Sequence, residues 1–356
     1  MGLVFVPHTC STFVLARAGD LVIGHNLDDD IPVPGVVVVN KRGAARESIS
    51  WQDFLPGAGK RRPRIRWTAR YASLTANMFG VEYPDGGLNE AGLYLGETTL
   101  RGTVYPQADG RPQIYHTQWI QYALDNFGSV DEVLTDLPRL AIDGHCQWHF
   151  FLADEQGRAA VIEFRQGEPL VYTGADLPVP ILCNAAYADE LADLREREGF
   201  GGARPVDLAD HQGPERFAQA AAMLQRYAQE PPRPAVEVAF AVLEQLVCGN
   251  NKWQTVYDVR ERCIHYRTYR TGEIRTVRMA AGDLTAGTPA MMVDIHAPGY
   301  GDVSGQLQPY SAARNRRCIA EAWRGIDLGG FLPNVLFKPL LVWLKSRSAQ
   351  RFHRSA

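Results

Sequence analysis

Apolar residues fall in short, β-prone runs through the first hundred positions, and those runs predict strands. Ser11-Thr12-Phe13-Val14-Leu15 and Leu21 to Leu27 are separated by Ala18-Gly19-Asp20, so residues 11–16 and 21–27 read as an antiparallel ribbon. Residues 36–41, 71–79 and 92–99 read as further strands, the last two bracketing a turn at Pro84-Asp85-Gly86-Gly87. The period changes near residue 116, where Trp119, Ile120, Ala123, Leu124 and Phe127 share one face of a helix over 116–126. Ser129-Val130-Asp131-Glu132 is a capping-box pattern opening a second short helix to about residue 137.

The second half continues in the same manner. His149-Phe150-Phe151-Leu152-Ala153 and Ala160-Val161-Ile162-Glu163-Phe164 flank a turn at Glu155-Gln156-Gly157-Arg158, which predicts a hairpin over 148–164. Helices are expected at 215–228 and 235–247, and strands at 253–259, 263–270 and 274–279. Strands come in antiparallel groups separated by helix pairs, with no sustained βαβ alternation. That pattern predicts an α+β fold with layered sheets rather than a doubly wound one.

Composition narrows the function classes. The 356 residues are 46% hydrophobic and 22% charged with a net charge of -3, which describes a globular chain with ample core. No basic stripe points to nucleic acid. The six cysteines show no C-x-x-C spacing, so neither a disulfide framework nor a zinc site is indicated. The first nine residues lack a basic n-region and are too short for a secretory signal, which makes the cytoplasm the default location. Met1-Gly2 begins like a myristoylation site, but Val6 stands where Ser or Thr is required. Gly57 to Arg66 is a Gly/Pro/Arg-rich loop. The apolar stretch Phe331 to Leu344 is interrupted by Pro333, Lys338 and Pro339 and followed by basic residues. It reads as a tail packed on the domain in preference to a membrane-surface anchor.

Most candidate chemistry is weak. Cys183, Cys248, Cys263 and Cys318 sit in apolar or strand contexts suited to buried thiols. His145-Cys146 is a neighbouring pair and only a slight hint. His145 and His149 have a zinc spacing for a helix, but the second lies on a β-like run, so a hydrogen-bonded core role is preferred. Asp28-Asp29-Asp30 lacks the ligand pattern of a calcium loop. No G-x-S-x-G, P-loop or G-x-G-x-x-G is present. Cys10 differs from the other cysteines because it heads a strand behind a short leader. Loss of residues 1–9 would give it an α-amino group titrating near ~7.7–8.0, a weak base attached to its own nucleophile.

The order of segments resembles the choloylglycine hydrolase and penicillin V acylase group of N-terminal-nucleophile hydrolases. Cys10-Ser11-Thr12-Phe13 is similar to its nucleophile start, Asn26-Leu27-Asp28 to its Asn-x-Asp strand end, and Gly87-Leu88-Asn89-Glu90-Ala91-Gly92-Leu93 to its Gly-Met-Asn-Glu-Lys-Gly-Leu signature. The hairpin from His149 to Glu163, Leu182-Cys183-Asn184-Ala185, Glu215-Arg216-Phe217 and the strands from Trp253 to Met279 follow in order, so the likeness spans residues 10–280.

The resemblance implies a four-layer αββα sandwich, a removed leader (1–9), one domain over 10–320 and a C-terminal extension (321–356). It implies hydrolysis of a linear amide C–N bond of a small N-acyl substrate through an acyl thioester, without metal or cofactor, in a homo-oligomer. Cys10 would be the nucleophile and Asp28 would hold its α-amine. Asn89 and Asn184 would stabilise the oxyanion, and Arg216 would favour the thiolate. His25 stands where the family carries Arg or Lys, as a cation or hydrogen-bond partner. Cys183-Asn184-Ala185-Ala186 lacks the usual Thr and Pro, and Glu215 places a carboxylate before Arg216. The alternatives are an acyltransferase of the isopenicillin type and a non-catalytic binding protein that keeps the fold.

Overall fold

The ribbon that begins at Ser11 folds as its pattern predicts and becomes the centre of a sheet. The computed structural model describes residues 9–17, 19–54, 63–81, 83–210, 215–281, 284–285 and 287–325, with positions 339, 342 and 343. Met1–His8 of the leader, most of the 57–66 loop and most of the apolar and basic tail lie outside the described residues.

The first sheet runs Ile181–Leu182, Ser11–Arg17, Asp20–Asp28, Asn251–Asp258, Cys263–Thr268, Thr271–Arg278 and Gly301–Asp302 in order of hydrogen-bonded neighbours. The second runs Glu168–Thr173, Ala159–Arg165, Trp148–Ala153, Tyr94–Thr99, Pro84–Asn89, Ser73–Asn77, Val36–Asn40, Met291–Asp294 and Gln308–Pro309. All their pairings are antiparallel except the one between Thr271–Arg278 and Gly301–Asp302.

The sheets stack face to face. Tyr94 of the second meets Tyr257 of the first at 5.1 Å between ring centroids. The Tyr257 hydroxyl donates to Gly86 O at 3.0 Å, and Trp253 Nε1 donates to Asp85 Oδ2 at 2.7 Å. Helix α1 (His116–Asn126) covers the outer face of the second sheet. Beyond it, α2 (Val130–Asp136) is capped by Ser129 Oγ, which accepts Glu132 N–H at 3.3 Å. Helices α3 (Tyr187–Arg195), α4 (Arg216–Gln229) and α5 (Ala235–Gln245) form the layer on the first sheet, with α5 against Asp20–Asp28. The result is an α+β sandwich of four layers, αββα.

Two expectations change. Pro84-Asp85-Gly86-Gly87 is the start of a strand rather than a turn. A Cβ on Gly87 would stand 2.6 Å from Thr75 Cγ2 and 2.8 Å from Leu124 Cδ1, so this glycine answers crowding between sheet and helix. The reversal falls at Glu90-Ala91-Gly92, where Gly92 takes φ +91° and its N–H closes onto Asn89 O at 3.0 Å. The expected boundary after residue 320 cuts α6 (Ala312–Gly325), whose Asn315 Oδ1 accepts from Val81 N at 2.9 Å. Among the described residues, no helix is long and apolar enough to cross a membrane.

Candidate active site

Strand pairing places the thiol. Ser11 faces Asn26 and Thr12 faces His25 across the ribbon, so side chains alternate between the helix layer and the second sheet. Asn26 takes the helix side, with Nδ2 donating to Leu243 O of α5 at 2.8 Å and to Ser11 Oγ at 3.3 Å. Cys10 and Thr12 take the other side, and Cys10 is fully buried between the sheets.

Arg216, the first residue of α4, reaches this point from 206 residues away. Its Nη1 donates to Thr9 O at 2.9 Å and to Cys10 O at 3.2 Å, while Nη2 donates to Asn184 Oδ1 at 2.7 Å. Such charge-assisted bonds are the strong ones. Asn184 Nδ2 in turn donates to Thr99 O at 2.9 Å. The turn before Asn184 is fixed by Cys183 O, which accepts Thr98 Oγ1 at 2.7 Å and His149 Nε2 at 2.9 Å. His149 is therefore the hydrogen-bonded core histidine that the sequence favours. Glu215 does not neutralise its neighbour: its carboxylate pairs with Arg197 at 2.6 Å. Thr9 is gripped as well, donating from N to Asp28 O at 3.3 Å and from Oγ1 to Cys248 O at 3.0 Å.

Asp28 closes the cluster. Its Oδ1 accepts Asn251 Nδ2 at 2.7 Å and its Oδ2 accepts Cys248 N at 3.2 Å. Burial nevertheless pushes its carboxyl up to about 6, against the opposing pull of Asn251, Arg216, the Cys248 amide and His25. The Cys10 thiol is pushed well above the usual cysteine range by burial first, then by the Glu97 and Asp28 carboxylates; a hydrogen bond from the Asp28 backbone amide works in the opposite direction. With Thr9 attached, the Arg216 guanidinium donates to two carbonyls and the Asn184 side chain, while burial keeps the Cys10 thiol above the usual range.

Two expected participants stand elsewhere. Asn89 lies at the far end of its strand, with Nδ2 donating to Leu124 O at 2.9 Å and Phe127 O at 2.7 Å and Oδ1 accepting Leu93 N at 3.0 Å. Leu88 pairs with Tyr94, and Thr99 is five residues further along, so about 17 Å of strand separate Asn89 from the Asn184 contact. Asn89 ties α1 to the sheet and takes no place at the thiol. His25 shares the inner face with Cys10, and its ring nitrogens meet Thr12 and Asp85. Its Nδ1 is 2.7 Å from Thr12 Oγ1, and its Nε2 lies 3.6 Å from Asp85 Oδ2.

Several neighbours were not legible in the sequence. Glu97, on the strand facing Cys10, is buried, and burial with Asp85 and Asp29 nearby drives its carboxyl well above the usual range. Glu97 Oε2, Tyr94 Oη and Thr99 Oγ1 are buried polar atoms without a hydrogen-bond partner among the described residues. Thr99 and Asn251 carry no local signal. Only a charged residue inside the apolar run Leu93-Tyr94-Leu95-Gly96-Glu97 hinted at Glu97.

Comparison with known proteins adds a lineage. The family model of linear amide C–N hydrolases, choloylglycine hydrolase family, matches residues 74–295, a stretch beginning beyond the Cys10 ribbon. A penicillin V acylase of Pectobacterium atrosepticum is 25% identical over 186 residues, 48% of this chain and 49% of that protein. The chain thus spans about half the length of the curated relative it matches. The structure of a penicillin V acylase from Agrobacterium tumefaciens superposes with a TM-score of 0.73 at 21% identity, covering 85% of this chain and 98% of that one. A variant of conjugated bile acid hydrolase from Clostridium perfringens gives 0.63 at 16% identity, covering 83% and 99%. These structural likenesses are likenesses of fold.

Proposed function

Since the chain belongs to the choloylglycine hydrolase family of linear amide C–N hydrolases, we propose that it is a cysteine-nucleophile amidase acting on a small N-acyl amide through an acyl thioester. The observation that carries this reading is the Arg216 guanidinium bridging the carbonyls of Thr9 and Cys10 while holding Asn184. A charged donor on the carbonyl before a buried thiol supports removal of the leader by Cys10 itself.

In that first event the sulfur attacks the Thr9 carbonyl carbon and the Thr9–Cys10 C–N bond breaks. The thiol proton passes to the Cys10 nitrogen. Arg216 Nη1, 2.9 Å from Thr9 O, receives the charge that develops there. Water then hydrolyses the thioester, releasing the Thr9 carboxylate and leaving a free thiol and a free amine.

In turnover the amine takes the thiol proton, and the sulfur attacks the substrate amide carbon. Asn184 faces the oxyanion, and the leaving amine carries the proton away before water cleaves the thioester. Asp28, beside Thr9, orients the amine. The relatives named for penicillin V and conjugated bile acids make those two amides the first substrates to assay.

Mass spectrometry of the mature protein is expected to find Cys10 as its first residue. Cys10→Ala is expected to keep residues 1–9 and to hydrolyse neither amide, while Cys263→Ala is expected to lose residues 1–9 and to keep the activity of the unmodified protein. Full activity with the leader intact, or activity in the Cys10 variant, would overturn the proposal.

A further inference from the structure

Apart from the Cys10 site, the described residues bring a second set of nucleophilic groups together. One ligand atom each from His116, His145 and Cys146 lies within 4.8 Å of the other two. His116 is the first residue of α1, and the other two sit in the loop between the strands Ala141–Asp143 and Trp148–Ala153.

His145 Nε2 stands 3.5 Å from Cys146 Sγ. A tetrahedral zinc ion bonded at about 2.0–2.1 Å to nitrogen and about 2.3 Å to sulfur would separate such a pair by roughly 3.6 Å. A thiol–imidazole hydrogen bond has the same length; a shared cation would engage in addition the His116 nitrogen, which lies within 4.8 Å of both atoms. The other ring nitrogen of His145 has a partner of the kind found beside metal-bound imidazoles: Nδ1 lies 3.1 Å from Tyr115 Oη, which can accept its N–H in the tautomer that leaves the Nε2 lone pair for a cation. Trp51 stacks on the same ring at 4.2 Å. Gly144 is fitted to the third member, since a Cβ there would stand 1.7 Å from His116 Cδ2 and 2.6 Å from its Nε2. Only glycine lets the loop lie against that imidazole.

We propose that His116, His145 and Cys146 bind a divalent cation of the zinc type, with Cys146 as thiolate and the fourth position open. Binding would release the thiol proton. The N-terminus of α1 opposes a cation, but its partial charge is outweighed by a directly bonded thiolate. Asp143, two residues upstream, adds a carboxylate within electrostatic reach of Tyr115. The ion would pin the loop to α1. That loop is hydrogen-bonded to the catalytic strand: Leu100 N donates to Gln147 O at 2.8 Å, and Trp148 pairs with Thr99, whose carbonyl holds Asn184. The ion is thus a brace at the rim of the Cys10 site and takes no step in the reaction.

Cobalt(II) added to the purified full-length protein tests this. One equivalent is expected to produce a thiolate-to-cobalt charge-transfer band that zinc displaces. Cys146→Ser and His145→Gln are each expected to abolish the band, so either one suffices if the other does not fold. Tyr115→Phe is expected to weaken cobalt binding ~10–100-fold. Cys10→Ala is expected to keep the band. Absence of a band in the unmodified protein, its survival in Cys146→Ser, or its loss in Cys10→Ala would each overturn the proposal.

Discussion

Two asparagines, Asn89 and Asn184, carry the same expectation from sequence and act differently in the fold. Asn89 sits where the second sheet meets the C-terminal end of α1, and its partners Leu93, Leu124 and Phe127 lie within 38 residues of it. Its three hydrogen bonds satisfy helix and turn backbone that would otherwise be buried unpaired. Asn184 sits where the two sheets meet α4, and its partners are Thr99 and Arg216, 85 and 32 residues away. One amide completes secondary structure; the other joins the strand that faces the thiol to the cation that grips the residue before it. A motif shows that an asparagine is needed, and only tertiary contacts show for what.

The largest expected effect lies on the Arg216 side of this comparison. Arg216→Gln removes the charged donor from Thr9 O, and leader removal is expected to slow by at least ~10²–10³. Intact mass measured against time checks this. Unchanged processing would break the link between Arg216 and the Thr9 carbonyl. Asn184→Ala and Asn89→Ala should then separate the two regions. The first is expected to lower kcat/KM by ~10²–10³ with little change in the urea midpoint. The second leaves the Leu124 and Phe127 carbonyls and the Leu93 amide without their side-chain partner and is expected to cost roughly 2–3 kcal/mol of stability with kcat preserved. If Asn89→Ala instead lowered kcat in a fully folded protein, the division of labour drawn here would fail.

How much of this was legible follows from the range of the contacts. The ribbon Ser11–Asp28, α1 and the hairpin after Trp148 were readable because periodicity is local, and α1 falls on the expected 116–126. Cys10 stands out by its place at the head of a strand, whereas Asp28, Asn184 and Arg216 are legible only as an ordered likeness, and the fold brings those four together. Asn89 misleads because a conspicuous motif reads as chemistry while its glycines and asparagine serve a tight strand–helix contact. The Pro84–Gly87 segment misled for the same reason, since crowding and turning both demand glycine. Glu97, Thr99 and Asn251 were missed because their significance lies in what they face across the sheets.

The smallest expected effect concerns Asp28, and it is best read on the Cys10→Ala protein, where the leader stays in place as in the geometry described. Burial raises the Asp28 carboxyl to about 6, so the folded state binds this proton more tightly than the unfolded chain does. The stability this contributes is present below the ordinary carboxylate range and is lost as pH rises through about 6. Over that window the loss is on the order of 2–3 kcal/mol. Asp28→Asn in the same background should therefore flatten the profile between about pH 4 and pH 7. Asn251 supplies the largest force opposing the rise, through its 2.7 Å bond to Oδ1. Asn251→Ala should thus move the stability loss to higher pH and deepen it. Urea midpoints measured across that range in the three proteins decide the matter. A profile that Asn251→Ala leaves in place, or moves to lower pH, would mean that Asp28 is held by the Cys248 amide and Arg216 instead, and that the asparagine beside it is a bystander.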